Sequence, residues 1–206
     1  MMRQGILIVL SGPSGTGKGT ICKELMQNNS NLHYSISATT RPPRAGETNG
    51  VNYWFTAKDD FESMVKMGEL LEWAEVYGNY YGTPRRYVNE MLHSGKDVVL
   101  ELDTQGALQL KTQFPQGVFI YIVPPSIQEL AARITKRGTE SPEAIEKRLG
   151  AAHEELSCAF HYNYIVVNDE VSKATAKIAA IISAEKCRTD RNADLIEIIC
   201  GCGSVD

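Results

Sequence analysis

Residues Gly12-Pro13-Ser14-Gly15-Thr16-Gly17-Lys18-Gly19-Thr20 constrain this chain more than any other stretch. They follow an apolar run, Ile6–Leu10, and lead into Lys18–Gln27, a segment with helical spacing. Strand, glycine-rich turn and helix in that order are the setting of a phosphate-binding P-loop. The glycines let the backbone wrap an anion with its N–H groups inward, and the helix N-terminus adds a favourable dipole. Lys18 would place a cation on the β and γ oxygens, where charge shifts during phosphoryl transfer.

The rest of the chain predicts an α/β fold, a parallel P-loop sheet flanked by helices. Val98–Leu102, Val118–Val123 and Tyr164–Val167 are continuous apolar runs, the pattern of strands buried on both faces. Helical spacing marks Ser126–Lys136 and Ala174–Cys187, and Ser141-Pro142 reads as a further helix start. Pro84–His93 is expected to be a helix with its proline in the first turn. Two stretches interrupt the alternation. Ser35 to about Tyr81, rich in turn residues and aromatics, predicts an inserted antiparallel β unit. Arg133 to His153, dense in arginine, predicts a helix–turn–helix excursion of the kind that forms a lid. One domain over 4–206 follows. Its core spans about 4–35, 93–130 and 160–206, the inserted unit about 36–88 and the lid about 131–158.

Composition excludes several classes. Of 206 residues, 43% are apolar and 22% charged, which is not the balance of a disordered chain. The net charge of −4 gives no basic field, so no nucleic-acid partner is expected. No apolar run approaches the ~20 residues that span a bilayer, so no membrane partner is expected either. Five scattered cysteines do not form a disulfide framework, and a cytoplasmic location is the simplest reading. Cys200 and Cys202 read as part of a frayed terminus. His33, His93, His153 and His161 lack metal-ligand spacing and read as surface or packing residues. The P-loop itself departs from the commonest form. Gly19 stands where a magnesium-binding Ser or Thr is usual, and Thr20 lies one residue, about 100° of helix, further on. Its Gly-Lys-Gly-Thr ending resembles the adenylate kinase version of the loop.

A second family resemblance covers most of the chain. Ser37, then Thr39-Thr40-Arg41-Pro42-Pro43-Arg44-Ala45-Gly46-Glu47, Gly50, Tyr53 and Phe55, is similar to the guanylate kinase signature. Leu71-Glu72-Trp73-Ala74, Gly78–Thr83, Glu101–Gly106, Arg137–Glu140, Arg148-Leu149 and Val167-Asn168-Asp169 follow in that family's order, from about 6 to 170. The resemblance implies phosphoryl transfer from MgATP to GMP, with dGMP among its acceptors. ATP would lie on Gly12–Thr20 with Arg133 and Arg137, and Asn168 would touch adenine. GMP would be held by Ser37, Arg41, Arg44, Glu47, Tyr53, Glu72, Tyr81, Thr83, Glu101 and Asp103. Lys18, Arg41, Arg137 and Arg148 would carry the transfer.

The residue types suit those roles. Arg41 and Arg44 can present planar forks to a phosphate dianion, with Tyr53 and Tyr81 adding hydroxyl donors. Guanine offers N1–H and N2–H₂ donors and an O6 acceptor, which carboxylates and hydroxyls match; Glu72, Ser37 and Thr83 are similar to the family residues that read it. Glu101 and Asp103 end an apolar strand, where open α/β sheets bind ligands. They could orient magnesium-bound water, hold Arg41 or meet the guanine amine. No protein group is expected to bind Mg²⁺ directly; nucleotide phosphates and water would hold it, with Thr20, Glu101 and Asp103 nearby. Rival readings are a phosphopeptide-binding module of similar fold, a ribosyl-phosphate kinase and an AMP kinase. The intact loop weighs against the first, and Glu72 with Ser37 and Thr83 against the others. Monomer and homo-oligomer both stay open.

Overall fold

The structure is a computed structural model that describes residues 4–136, 150 and 154–201. Arg137, Arg148, the helix start at Ser141, His153 and Cys202 lie outside the described residues. The chain begins with β1 (Leu7–Ser11), α1 (Lys18–Gln27), β2 (Leu32–Tyr34), β3 (Ala38–Thr39) and β4 (Trp54–Phe55). It continues through α2 (Lys58–Lys66), β5 (Leu70–Val76), β6 (Asn79–Pro84), α3 (Arg85–His93), β7 (Asp97–Glu101) and α4 (Thr104–Gln113). β8 (Val118–Val123), α5 (Ile127–Lys136), β9 (Tyr164–Val167), α6 (Val171–Lys186) and α7 (Ala193–Ile199) complete the elements used below. Among the described residues no helix is long and apolar enough to cross a membrane.

Five strands form a parallel sheet in the order β2-β7-β1-β8-β9. Successive side chains of a strand point to opposite faces, so both faces must be covered. Ile8 and Leu10 pack with Ile21 and Leu25 of α1 and with Ala174, Ile178 and Ile182 of α6. Leu7 and Val9 face the other way, into a cluster with Val88 and Leu92 of α3 and Ala107 and Leu110 of α4. Leu71 of β5 joins that second cluster, so the inserted sheet is anchored to the core beside α4.

The inserted unit is a second sheet in the order β4-β3-β6-β5. Its pairings are antiparallel except one, because β3 and β4 run parallel. The expected all-antiparallel unit is therefore a mixed sheet. The stretch 40–53 between β3 and β4 is long enough for the crossover that parallel pairing needs. Pro84 also departs from expectation. It pairs with Leu70 in β6, with φ −59° and ψ 121°, and α3 starts one residue later at Arg85. Arg85 N–H continues the pairing to Glu69 O at 2.8 Å. The last long helix begins at Val171, about a turn before Ala174.

Asp97, buried at the start of β7, accepts the Ile6 N–H at 2.9 Å and pairs with Lys186 Nζ of α6 at 2.5 Å. Removing that carboxylate leaves a buried N–H without its acceptor and takes one carboxylate from the Lys186 ammonium. Asp97→Ala is expected to lower stability by about 3 kcal/mol in urea unfolding, with the slope against denaturant unchanged.

Candidate active site

One cleft of about 890 Å³ runs from the P-loop to the inserted sheet. From the loop and α1 it is lined by Gly12, Ser14, Gly15, Gly17, Lys18, Gly19 and Thr20. Ser37, Arg44, Glu47, Tyr53, Glu72 and Tyr81 line it from the inserted unit, and Glu101 and Asp103 from the end of β7. Of the other expected residues, Pro13 and Thr16 complete the loop, and Arg41 and Thr83 stand behind the lining. Arg133 and Asn168 contact each other beside the loop, Arg133 Nη1 donating to Asn168 O at 3.0 Å.

Lys18 folds back on its own loop, donating to Gly12 O at 2.6 Å and Pro13 O at 3.2 Å. Burial lowers its pKa, and the nearby carboxylates Glu101, Glu155 and Asp103 oppose that shift. Gly19 serves close approach. A Cβ there would lie 3.3 Å from Glu101 Oε2, so the position that usually carries a hydroxyl is instead faced by a carboxylate from β7.

Arg41 is held before any ligand arrives. Its Nη2 pairs with Glu47 Oε1 at 2.9 Å, and its Nη1 donates to Pro42 O at 2.7 Å. The guanidinium lies 5.4 Å from the Tyr53 ring centre and 5.8 Å from that of Phe55. Glu47 also accepts the Arg44 N–H at 2.7 Å. Burial alone would raise the Glu47 pKa, but the Arg41 guanidinium and the Arg44 N–H hold it below the usual range. Tyr53 and Tyr81 meet edge to face at 6.0 Å. Burial, then the charge of Glu101, pushes the Tyr53 hydroxyl up to about 12, so it stays a donor.

Glu72 is the buried carboxylate of the cleft, at 4% exposure. The Thr83 hydroxyl donates to its Oε1 at 2.6 Å. Its other oxygen presses on the first turn of α4, where a Cβ on Gly106 would lie 2.3 Å from Oε2. Asp103 caps that turn, its Oδ1 accepting the N–H groups of Gln105 and Gly106. Burial raises the Glu72 pKa to about 7, and Asp103 adds to the rise while Thr83 opposes it.

The sequence reading missed Tyr34, whose hydroxyl approaches Glu101 Oε2 at 3.5 Å from the carboxyl end of β2. Its signal is position, a tyrosine closing a strand beside β7, but β2 is three residues long, too short to show a period in sequence. Tyr77 was also missed. It lines the cleft from the two-residue turn between β5 and β6, with φ +50°. Asn, Asp or Gly is usual there, so a tyrosine before Gly78 was the available signal.

A P-loop and a carboxylate-bearing pocket that open on one cleft are the layout of a P-loop kinase for small acceptors. The comparisons are specific. The guanylate kinase family model matches residues 4–185. The chain is 58% identical over 193 residues to the guanylate kinase of Caldanaerobacter subterraneus subsp. tengcongensis, covering 94% of each. It is 56% identical over 195 residues to that of Clostridium tetani, covering 95% of this chain and 93% of that one. The crystal structure of guanylate kinase from Anaplasma phagocytophilum aligns with a TM-score of 0.81 at 32% identity, over 95% of both chains. The chain belongs to the guanylate kinase family.

The raised Glu72 pKa has a consequence for stability. The folded state holds this proton more tightly than the unfolded chain, whose carboxyl titrates near 4.5. The stability it contributes is full below about 4.5 and is lost as pH rises through about 7. Glu72→Gln lacks that loss, so its stability relative to wild type rises over this window by about 3 kcal/mol at most. Urea unfolding of both proteins at pH 4.5 and 8 measures the difference.

Proposed function

We propose that the chain transfers the γ-phosphoryl group of MgATP to GMP, and to dGMP, giving ADP and the corresponding diphosphate. The observation that carries this reading is a single cleft lined by both Lys18 and Glu72. Lys18 leaves the carbonyls of Gly12 and Pro13 to meet the β and γ phosphates. Arg41, Arg44, Tyr53 and Tyr81 hold the acceptor phosphate, with Glu47 keeping Arg41 in place. Ionised Glu72 accepts from guanine N1–H and N2–H₂, while Ser37, Thr83 and Asp103 complete the base pocket. Adenine has no N1–H and would leave the buried carboxylate without the base's donors, which is the basis of discrimination.

In the transfer, the bond from the γ phosphorus to the β-bridging oxygen breaks and one to an α-phosphate oxygen of GMP forms. That oxygen is already anionic, so no general base is required. Arg41 and Arg133, with Arg137 and Arg148 outside the described residues, would offset charge on the moving group. Magnesium enters with ATP. A Cβ on Gly19 would lie 3.3 Å from Glu101 Oε2, and Thr20 and Asp103 line the same cleft. These hard oxygen donors are too few for a full cage and suit an ion that keeps water and phosphate oxygens. They would hold it through those waters. When bound, the ion neutralises charge between the β and γ phosphates. A cytoplasmic place in purine nucleotide metabolism fits the substrate pair and the scattered cysteines.

Coupled ADP assays with GMP, dGMP, AMP, CMP and UMP test the reading. Turnover is expected with the two guanine nucleotides, and Lys18→Ala is expected to reduce kcat by about 100-fold or more. Equal turnover with AMP would remove Glu72 from base recognition, and no turnover with any acceptor would overturn the kinase reading. Glu72 must be ionised to accept both guanine donors. KM for GMP should therefore fall as pH rises through about 7. In Glu72→Gln, that pH dependence should vanish, and preference for GMP over AMP should drop by about 100-fold or more.

A further inference from the structure

Asn168 follows β9 and is 2% exposed. Its N–H donates to Val123 O at 2.8 Å, fixing it against the end of β8. Its carbonyl accepts Arg133 Nη1 of α5 at 3.0 Å, and Arg133 Nε is held by Glu129 Oε1 at 2.8 Å. The side chain reaches the other way. Nδ2 donates to Thr16 O, inside the P-loop, at 2.7 Å. That partner sets the amide orientation, since a flipped amide would turn an oxygen onto a carbonyl.

The loop is shaped around this contact. Gly17 has φ +87°, and a Cβ on it would lie 2.6 Å from Asn168 Nδ2. The peptide joining Thr16 to Gly17 is trans, so its carbonyl and N–H point in opposite directions. With the carbonyl drawn to Asn168, the Gly17 N–H is turned away from it, and Gly17 lines the cleft. The hydroxyl of Thr16 is occupied within the loop, on Pro13 O at 2.9 Å. Gly17 opens α1 without a side-chain cap.

We propose that Asn168 is a positioning residue for the donor phosphates. Its amide holds the Thr16–Gly17 peptide with the N–H toward the phosphates. Its carbonyl ties that peptide to Arg133, and so to α5. Asn168 acts through the loop, a role separate from the adenine contact that the family resemblance implies. The proposal rests on the ATP-dependent reading of the cleft.

The test uses full-length Asn168→Ala and the isosteric Asn168→Asp, which keeps the volume and replaces the donor by an acceptor. Each is assayed with ATP and with ITP, whose base lacks the exocyclic amine, at saturating GMP. Binding of inorganic tripolyphosphate is measured by calorimetry. The expected result is an equal rise in KM for ATP and ITP of about tenfold or more. Tripolyphosphate should weaken by a similar factor, with KM for GMP within about twofold and melting cooperative. A loss confined to ATP would assign Asn168 to direct adenine contact and overturn the proposal. So would unchanged tripolyphosphate binding, or equal loss toward GMP and ATP. If Asn168→Ala does not fold, Asn168→Asp decides by the same readings. If wild type turns over no acceptor, the kinase reading fails, while tripolyphosphate binding still decides the role of Asn168.

Discussion

Burial of β1 on both faces is the constraint on which the rest depends. Ile8 and Leu10 belong to one core cluster, and Leu7 and Val9 to the other. A slip of one residue would send every side chain to the wrong face. The register is therefore held, with Leu10 opposite Glu101 of β7 and Ser11 opposite Tyr121 of β8. Because the strands are parallel, their carboxyl ends meet at one edge. The phosphate loop leaves the end of β1, and Glu101 and Asp103 lie at the end of β7. Packing alone brings an anion cradle and two carboxylates together.

That juxtaposition creates an electrostatic conflict that the cleft resolves locally. Glu101, Asp103 and Glu72 share a cavity shaped to receive phosphates. Cations answer them: Lys18 in the loop, and Arg41 and Arg44 in the connection between β3 and β4. Burial works against the charge on Lys18, and Glu101, Glu155 and Asp103 counter it. Burial raises the Glu72 pKa, because the inserted sheet and α4 enclose it and supply a hydroxyl instead of a cation. Charge in the proposed phosphate region is thus paired, while in the proposed base pocket it is held near the balance between acid and anion.

Local pattern made much of this readable. Lys18–Gln27, Val118–Val123 and Tyr164–Val167 are elements with the bounds their apolar spacing suggested, and β1 lies one residue from its run. What escaped was short or masked by another signal. β2 has three residues at a sheet edge, too few for a period. α4 was hidden because Asp103 and Glu101 were read as an acidic pair, although Asp103 is also its N-cap. The parallel pairing of β3 with β4 depends on a crossover that alternation of side chains does not encode. The family resemblance offered adenine as the partner of Asn168. Its amide reaches the loop across 152 positions of sequence, a distance at which no local pattern speaks. The candidate residues were legible as types in an order; their hydrogen bonds belong to tertiary structure.

The contact of Glu72 with the first turn of α4 bears on how such a pocket can diverge. A side chain on Gly106 would displace the Glu72 carboxylate of the inserted sheet, and the Gly106 N–H is committed to the helix cap. Shortening the acid would open a void over a bare helix turn. Enlarging the glycine would push the acid out of the pocket. A change of acceptor base at this place therefore passes through a coordinated pair of substitutions, one on a strand and one on a helix. The strand residue and the helix residue are thus mechanically coupled in the pocket.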